Sequence, residues 1–433
     1  MGKTNYIAIL GGLFCSFLFP FLETTLMEFV VLSFLLFSGI QFYNFNILHP
    51  FVWLAPFIFI YNSSFCLLEI AGFIQIQYIH EILFCTYLSI ISLFFCCILF
   101  LRKRFVIVFP NGFINEENAR LVHFILILLS IMMILYLPLF IKIGYTSKKE
   151  MNLEGGLPLF GIISRLYYII YTIYIVYYCG MNKKMPKKMV IVSMIITLGS
   201  ALIIGERDVF LTVCLLTFLV YYYYFKVSFK KVLLLAFLGL IAVAIMQSTK
   251  QITNADEIEL PTNNMFEATF GGEFATSGVN LNVLMSNKGS WKYQNGEAFF
   301  KDLKRATIPE FISKSENSTG WYNNLFNDHV DSGFGMGFSY IGEGYLQFGY
   351  IGVVIWTVML FFIVLLLYKG AQMGLYGFVT YIYMIGMILY AMRGDLSYII
   401  SPLLKQILLT YILLKFVFKM NTAICRKSKT INC

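Results

Sequence analysis

Apolar stretches of about 20 residues recur along almost the whole chain, and each is long enough to cross the hydrocarbon of a bilayer as a helix. Backbone inside lipid must satisfy its own hydrogen bonds, so stretches of this kind dictate an all-α polytopic membrane protein. The length criterion places about twelve transmembrane helices, near residues 5–22, 25–43, 51–72, 81–101, 121–141, 159–180, 189–204, 209–225, 232–247, 346–368, 374–391 and 397–418. Only 13% of the 433 residues are charged, about half the share of an ordinary soluble domain. The first apolar run continues past the length of a secretory signal core and leads into a second span, so no cleavable leader is expected.

The basic residues follow a pattern. Arg102, Lys103 and Arg104 come after the fourth span, Lys183, Lys184, Lys187 and Lys188 after the sixth, and Lys226, Lys230 and Lys231 after the eighth. Lys369 follows the tenth, and Lys419, Arg426, Lys427 and Lys429 follow the twelfth. Every strongly basic short connection thus follows an even-numbered span. The positive-inside rule then puts both termini in the cytoplasm. The formal net charge of +9 reflects this topology and is not a nucleic-acid signature. Most of the nine cysteines fall inside apolar runs without metal-ligand spacing, and the polar loop has none, so they read as small buried apolar groups.

This orientation divides the chain into N-terminal transmembrane helices (1–247, about nine), a large periplasmic loop (248–345), C-terminal transmembrane helices (346–418, about three) and a basic cytoplasmic tail (419–433). The turn GERD (205–208), the loop and the segment MRGD (392–395) all fall on the outer face. A polar segment as long as 248–345 suggests function. Within it, EAFFKDLKRATIPEFISK (297–314) has Phe299, Phe300, Leu303, Ala306 and Thr307 at helical spacing, with Pro309 to end or kink the helix. Such a helix would lie along the bilayer as a lid, or pack only on the loop's own core. A glycine-rich run, GFGMGFSYIGEGYLQFGYIG (333–352), leads into the tenth span with Glu343 at its boundary. A carboxylate there is costly unless paired or used.

Cations also gather at the outer boundary. Arg207 and Arg393 lie at hairpin tips, Lys142 and Arg165 at the outer ends of the fifth and sixth spans, and Lys405 inside the last span after Pro402. Such a set suits a phosphate-bearing ligand, and arginine suits bidentate contact with it. The plainer alternative pairs Arg207 with Glu206 or Asp208, and Arg393 with Asp395.

Four local signatures together resemble the O-antigen polymerases (Wzy type), which polymerise oligosaccharide repeat units: the Gly-x-Arg turn in GERDVF, the mid-loop NGEAFFKDLKRATIPEFISK, the run FSYIGEGYLQFGYIG and the arginine in MRGDLSY before the final span. The third is the most specific. The chain has Glu310 where the family pattern has a basic residue, which leaves Arg305 or Lys314 for phosphate contact there. The resemblance implies a GT-C-like glycosyltransferase in the bacterial inner (cytoplasmic) membrane, with no metal and no cofactor. It would use undecaprenyl-pyrophosphate-linked oligosaccharides as donor and acceptor among membrane lipids, with a chain-length regulator as a candidate partner.

On this reading Arg207 and Arg393 hold the leaving pyrophosphate, assisted by Arg165 and Lys405. Glu343 is the first choice of base, followed by Glu273 and His329. Two other readings stay open. An O-antigen ligase has a similar loop. A flippase or other transporter would lack one dominant outer loop and would show an internal repeat, which is not visible here.

Overall fold

The computed structural model describes residues 11–12, 14, 17–101, 116–143, 156–204, 208–228, 230–232, 275–308, 316–327 and 337–431, with side chains of 116–117, 140–143, 156–158, 204 and 422–431 left aside. These residues are almost wholly helical. In chain order the helices are α1 (Thr25–Phe42), α2 (Pro50–Ser63), the short α3 (Cys66–Ile70), α4 (Ile79–Phe100), α5 (Glu116–Ile143), α6 (Gly156–Asn182), α7 (Lys187–Ile204) and α8 (Asp208–Phe225). Three loop helices follow: α9 (Thr276–Ser286), α10 (Glu297–Thr307) and α11 (Ser318–Phe326). The chain ends with α12 (Tyr340–Ala371), α13 (Leu375–Ala391), α14 (Ser397–Ser401), a π-helical segment (Pro402–Leu408) and α15 (Leu409–Ile431).

Seven helices among the described residues are long and apolar enough to cross a membrane, and Pro50–Ser63 and Leu375–Ala391 are shorter apolar helices. Two expected spans differ. The stretch 51–72 breaks after Ser63 into α2 and α3. The last span runs on as α15 through the basic tail to Ile431. The expected span 232–247 beyond Val232, and half of 5–22, lie outside the described residues.

Local chemistry sets the helix starts. Thr24 caps α1 by accepting from Met27 N, and His49 caps α2 through Nδ1 with Pro50 in the first turn. Ser339 caps α12 by accepting from Gly342 N at 3.1 Å, and it donates to Asn62 Oδ1 on α2 at 3.2 Å. An N-cap of this kind is worth about 1 kcal/mol.

The two ends of the bundle differ in what they gather. At one end Tyr224 OH donates to Val176 O, Tyr222 OH donates to Phe45 O, and Tyr223 packs on Phe378. These contacts gather the connections that carry Lys183, Lys187, Lys226 and Lys369. At the other end the loop helices sit on the bundle. Ser277 Oγ donates to Met392 O at 3.0 Å, Asn280 Nδ2 donates to Gly337 O, and Tyr78 N donates to Asn282 Oδ1 at 3.1 Å. The Lys288 ammonium lies 5.6 Å from the Tyr345 ring centroid. The described part of the polar loop is therefore packed onto the α2, α4, α12 and α13 ends. Cys66, Cys85, Cys96, Cys97 and Cys179 are free and buried in the core, as the sequence leads one to expect.

Candidate functional site

Two features of the backbone build the site. First, α12 is not continuous. Phe348 (φ −144°) and Gly349 (φ 63°) leave helical geometry, so the opening turns fold back on the long span. The positive φ at Gly349 is one that a side chain resists. The fold-back brings Gly344 against Gly352, where a Cβ on Gly352 would sit 1.9 Å from Gly344 O. The loop strand ahead of α10 closes the break: Gln294 N donates to Leu346 O, Asn295 N to Gln347 O, and Gly296 N to Gln347 Oε1 at 2.7 Å.

Second, the tip between α13 and α14 is pinned from both sides. Phe338 N donates to Arg393 O at 2.7 Å and Tyr340 N to Met392 O at 3.3 Å. A Cβ on Gly337 would meet Arg393 O at 2.5 Å, so the glycine permits this approach.

Three carboxyl groups lie beneath the tip, and Asp302, Glu343 and Asp395 are each 0% exposed. Asp395 accepts four hydrogen bonds: from Asn317 Nδ2 (2.7 Å), Thr319 N (3.0 Å), Ser397 N (2.9 Å) and Ser397 Oγ. Asp302 accepts from Ser318 N and Ser318 Oγ, both at 2.7 Å. Burial pushes the Asp302 carboxyl up to about 7, with the negative Asp395 adding to the rise and the bonds from Glu343 and Ser318 opposing it. Glu343 Oε2 accepts from Leu396 N at 2.9 Å. Glu343 Oε1 has no well-formed hydrogen bond among the described residues, although the Asp302 carboxyl and the Trp356 indole act on this side chain at close range.

The expected local pair of Arg393 with Asp395 is not what satisfies the aspartate, because loop amides and Ser397 occupy both of its oxygens. Arg393 is half-buried at the tip. Arg165 on α6 and Arg305 on α10 both act on the Tyr398 hydroxyl, one turn beyond. Lys405 turns the other way. Its Nζ donates to Arg305 O (2.9 Å) and Ile308 O (3.4 Å), the carbonyl end of α10. A cation there complements the negative end of the helix dipole. Lys405 also sits on π-helical backbone, which often marks functional positions.

The structure thus brings together Glu343, Arg393, Arg165, Arg305 and Lys405. Arg207, Glu273 and His329 lie outside the described residues. Glu343 is enclosed here, so a sugar hydroxyl has no path to it unless α10 and α11 lift. The amphipathic stretch is shorter than expected: α10 ends at Thr307, and Ile308 is extended ahead of Pro309. It buries Ala298, Asp302 and Ala306, whereas Phe300 is 69% exposed. Its buried face seats on α12 and α14, so it is neither a free lid nor a helix packed only within the loop. Asp302 and Asp395 were not among the expected site residues. The i, i+4 spacing of Ala298, Asp302 and Ala306 is the sequence signal that marks Asp302, a carboxyl flanked by two small residues on one face.

A cleft of about 590 Å³ opens beside the break in α12, lined by Tyr293, Asn295, Phe348, Gly349, Tyr350 and Ile351. No charged side chain lines it, so it is not the phosphate site. The family model described as O-antigen polysaccharide polymerase Wzy matches residues 4–423 of the 433. The chain belongs to this O-antigen polymerase family. Comparison with curated proteins and with solved structures gave no match. A Wzy polymerase joins O-antigen repeat units into a polysaccharide and works on lipid-linked oligosaccharides in the membrane. The family match favours neither the ligase nor the transporter reading. The multi-pass architecture fits a Wzy polymerase of the bacterial inner membrane.

Proposed function

We propose that this O-antigen polymerase is a metal-independent, GT-C-like glycosyltransferase whose chemistry lies at the loop end of the bundle, on the periplasmic face with both termini cytoplasmic. The donor is the growing chain on undecaprenyl pyrophosphate. The acceptor is a new repeat unit on the same kind of lipid. The bond between the donor's anomeric carbon and its phosphate oxygen breaks as the acceptor hydroxyl oxygen attacks that carbon. The lipid pyrophosphate leaves, and the hydroxyl proton passes to a base.

The observation that carries this reading is the gathering of Arg165, Arg305 and Arg393 around the Met392–Ser401 tip. Pyrophosphate gains charge as it leaves, and preorganised cations at that position lower the barrier. Arg207 joins the set on its sequence position between α7 and α8. Lys405 orders the carbonyl end of α10 and so aims Arg305. The enclosure of Glu343 supports a positioning role for it in place of the base, which leaves Glu273 and His329 as the proposed bases. The gathering of the short connections that carry Lys183, Lys187, Lys226 and Lys369 at the end away from the loop helices supports the orientation, since short basic connections favour the cytoplasm.

Purified protein in vesicles, supplied with lipid-linked repeat units, is expected to release lipid pyrophosphate and build a ladder of longer lipid-linked chains. Elongation should persist in a chelator. Units that cross the vesicle membrane without lengthening, or activity lost to chelator and restored by Mg²⁺, would overturn the respective parts of the proposal.

A further inference from the structure

Asp302 and Glu343 come from a loop helix and from the fold-back of α12, both are fully buried, and their carboxyls interact directly. Neither pairs with a lysine or arginine among the described residues. Two carboxyls in contact away from water cannot both ionise at neutral pH, so the pair retains a proton. What these carboxyls hold is backbone. Asp302 takes Ser318 N, Asp395 takes Thr319 N, and Glu343 takes Leu396 N. The three bonds tie the start of α11 and the chain after Arg393 to one point beneath the tip. Glu343 Oε1 and Trp356 Nε1, both buried, complete no ideal bond of their own and face this node.

We infer that Asp302 and Glu343 form a proton-sharing latch, anchored by Asp395, that seats the loop helices on the tip and so positions Arg393 and Arg305 for the pyrophosphate. The inference rests on the proposed arginine site and assigns positioning roles to Asp302 and Glu343. The charged and titratable groups around the pair are Asp395 and Arg393 on the tip, Tyr340 on α12, Arg305 on α10 and Tyr398 on α14. A proton held between two carboxyls is lost as pH rises. Asp302 has its folded-state value raised above that of the unfolded chain, so its contribution is present at low pH and fades through about 7.

The test compares amide-bearing variants with truncated ones. Asn at 302 or Gln at 343 replaces the shared proton with an N–H that does not titrate. Asp302→Asn and Glu343→Gln are therefore expected to keep polymer length and rate within a few-fold of the native protein, while Asp302→Ala and Glu343→Ala lose at least tenfold at matched protein levels. Hydrogen exchange at 317–320 and 395–398 is read in parallel, corrected for the chemical exchange rate. The alanine variants should lose protection there. Native protection should fall as pH rises from the ordinary carboxylate range through about 7 and level off above it, and the Asp302→Asn/Glu343→Gln double variant should be flat with pH. This readout does not depend on the arginine site, so it tests the latch even if that site proves inactive. Glu343→Gln as inactive as Glu343→Ala, with protection intact in both, would overturn the latch and return Glu343 to the role of base. Protection that is flat with pH in the native protein would also overturn it.

Discussion

Replacing Arg393 with alanine is expected to leave the lipopolysaccharide core carrying a single repeat unit, with the protein at its normal level. The guanidinium sits half-buried at a tip whose backbone is fixed by Phe338 N and Tyr340 N, and those bonds do not involve the side chain. Truncation should therefore remove charge without unseating the tip. Losing a preorganised contact to a developing anion costs about 3–4 kcal/mol, or roughly 10²- to 10³-fold in rate. Arg393→Lys keeps a point charge but loses the planar fork, and an intermediate loss is expected. Chain-length banding in a deletion strain, together with the elongation rate of purified protein, measures both. Long polymer of normal length from Arg393→Ala would remove the arginine from the reaction.

The second large effect is expected at Gly352. The break at Phe348 and Gly349 lays the first turns of α12 against the long span, and a methyl group on residue 352 would meet the Gly344 carbonyl oxygen at 1.9 Å. That atom belongs to backbone and cannot swing aside. Gly352→Ala must open the fold-back and move Glu343 away from Leu396 N. Overpacking at a backbone contact, together with loss of the buried bonds beneath the tip, is expected to cost on the order of 4 kcal/mol, enough to deplete the folded protein. The amount of monodisperse protein after detergent extraction, and its melting temperature, report this directly. Gly199→Ala is the control. It lies in α7 with nothing within 4 Å of the added methyl, and the change there favours helix by up to about 1 kcal/mol. Equal yield and melting temperature for the two variants would mean that the fold-back is not tight.

The sequence revealed the parts of this molecule that depend on bulk transfer into lipid. Apolar runs such as 79–100 and 159–182 read directly as spans, because about 20 apolar residues in water have no other stable place. Glu343 could be picked out because a carboxyl at a hydrocarbon boundary needs a reason to be there. Its partners were less visible. Asp302 lies about 40 residues earlier, in a helix with five charged residues, and only the packing of α10 on α14 shows that one of these is buried. Closeness in sequence suggests Asp395 as a partner for Arg393, yet the tip turns the aspartate inward to Thr319 N on α11 and Ser397 N on α14. Lys405 was recognised as an unusual charge, but its placement on the α10 carbonyls depends on contacts between segments a hundred residues apart. The kink in α12 was masked by its composition, since Phe348 and Gly349 sit within one long apolar run.

The carboxyls beneath the tip grip main-chain amides of Ser318, Thr319 and Leu396. Peptide groups are the same whatever side chains they carry. The outward face of the loop helices, with Phe300, Lys301 and Lys304, is thus uncoupled from its mounting. An enzyme built this way can be refitted to a different sugar by exchanging surface residues, while the platform beneath keeps its alignment.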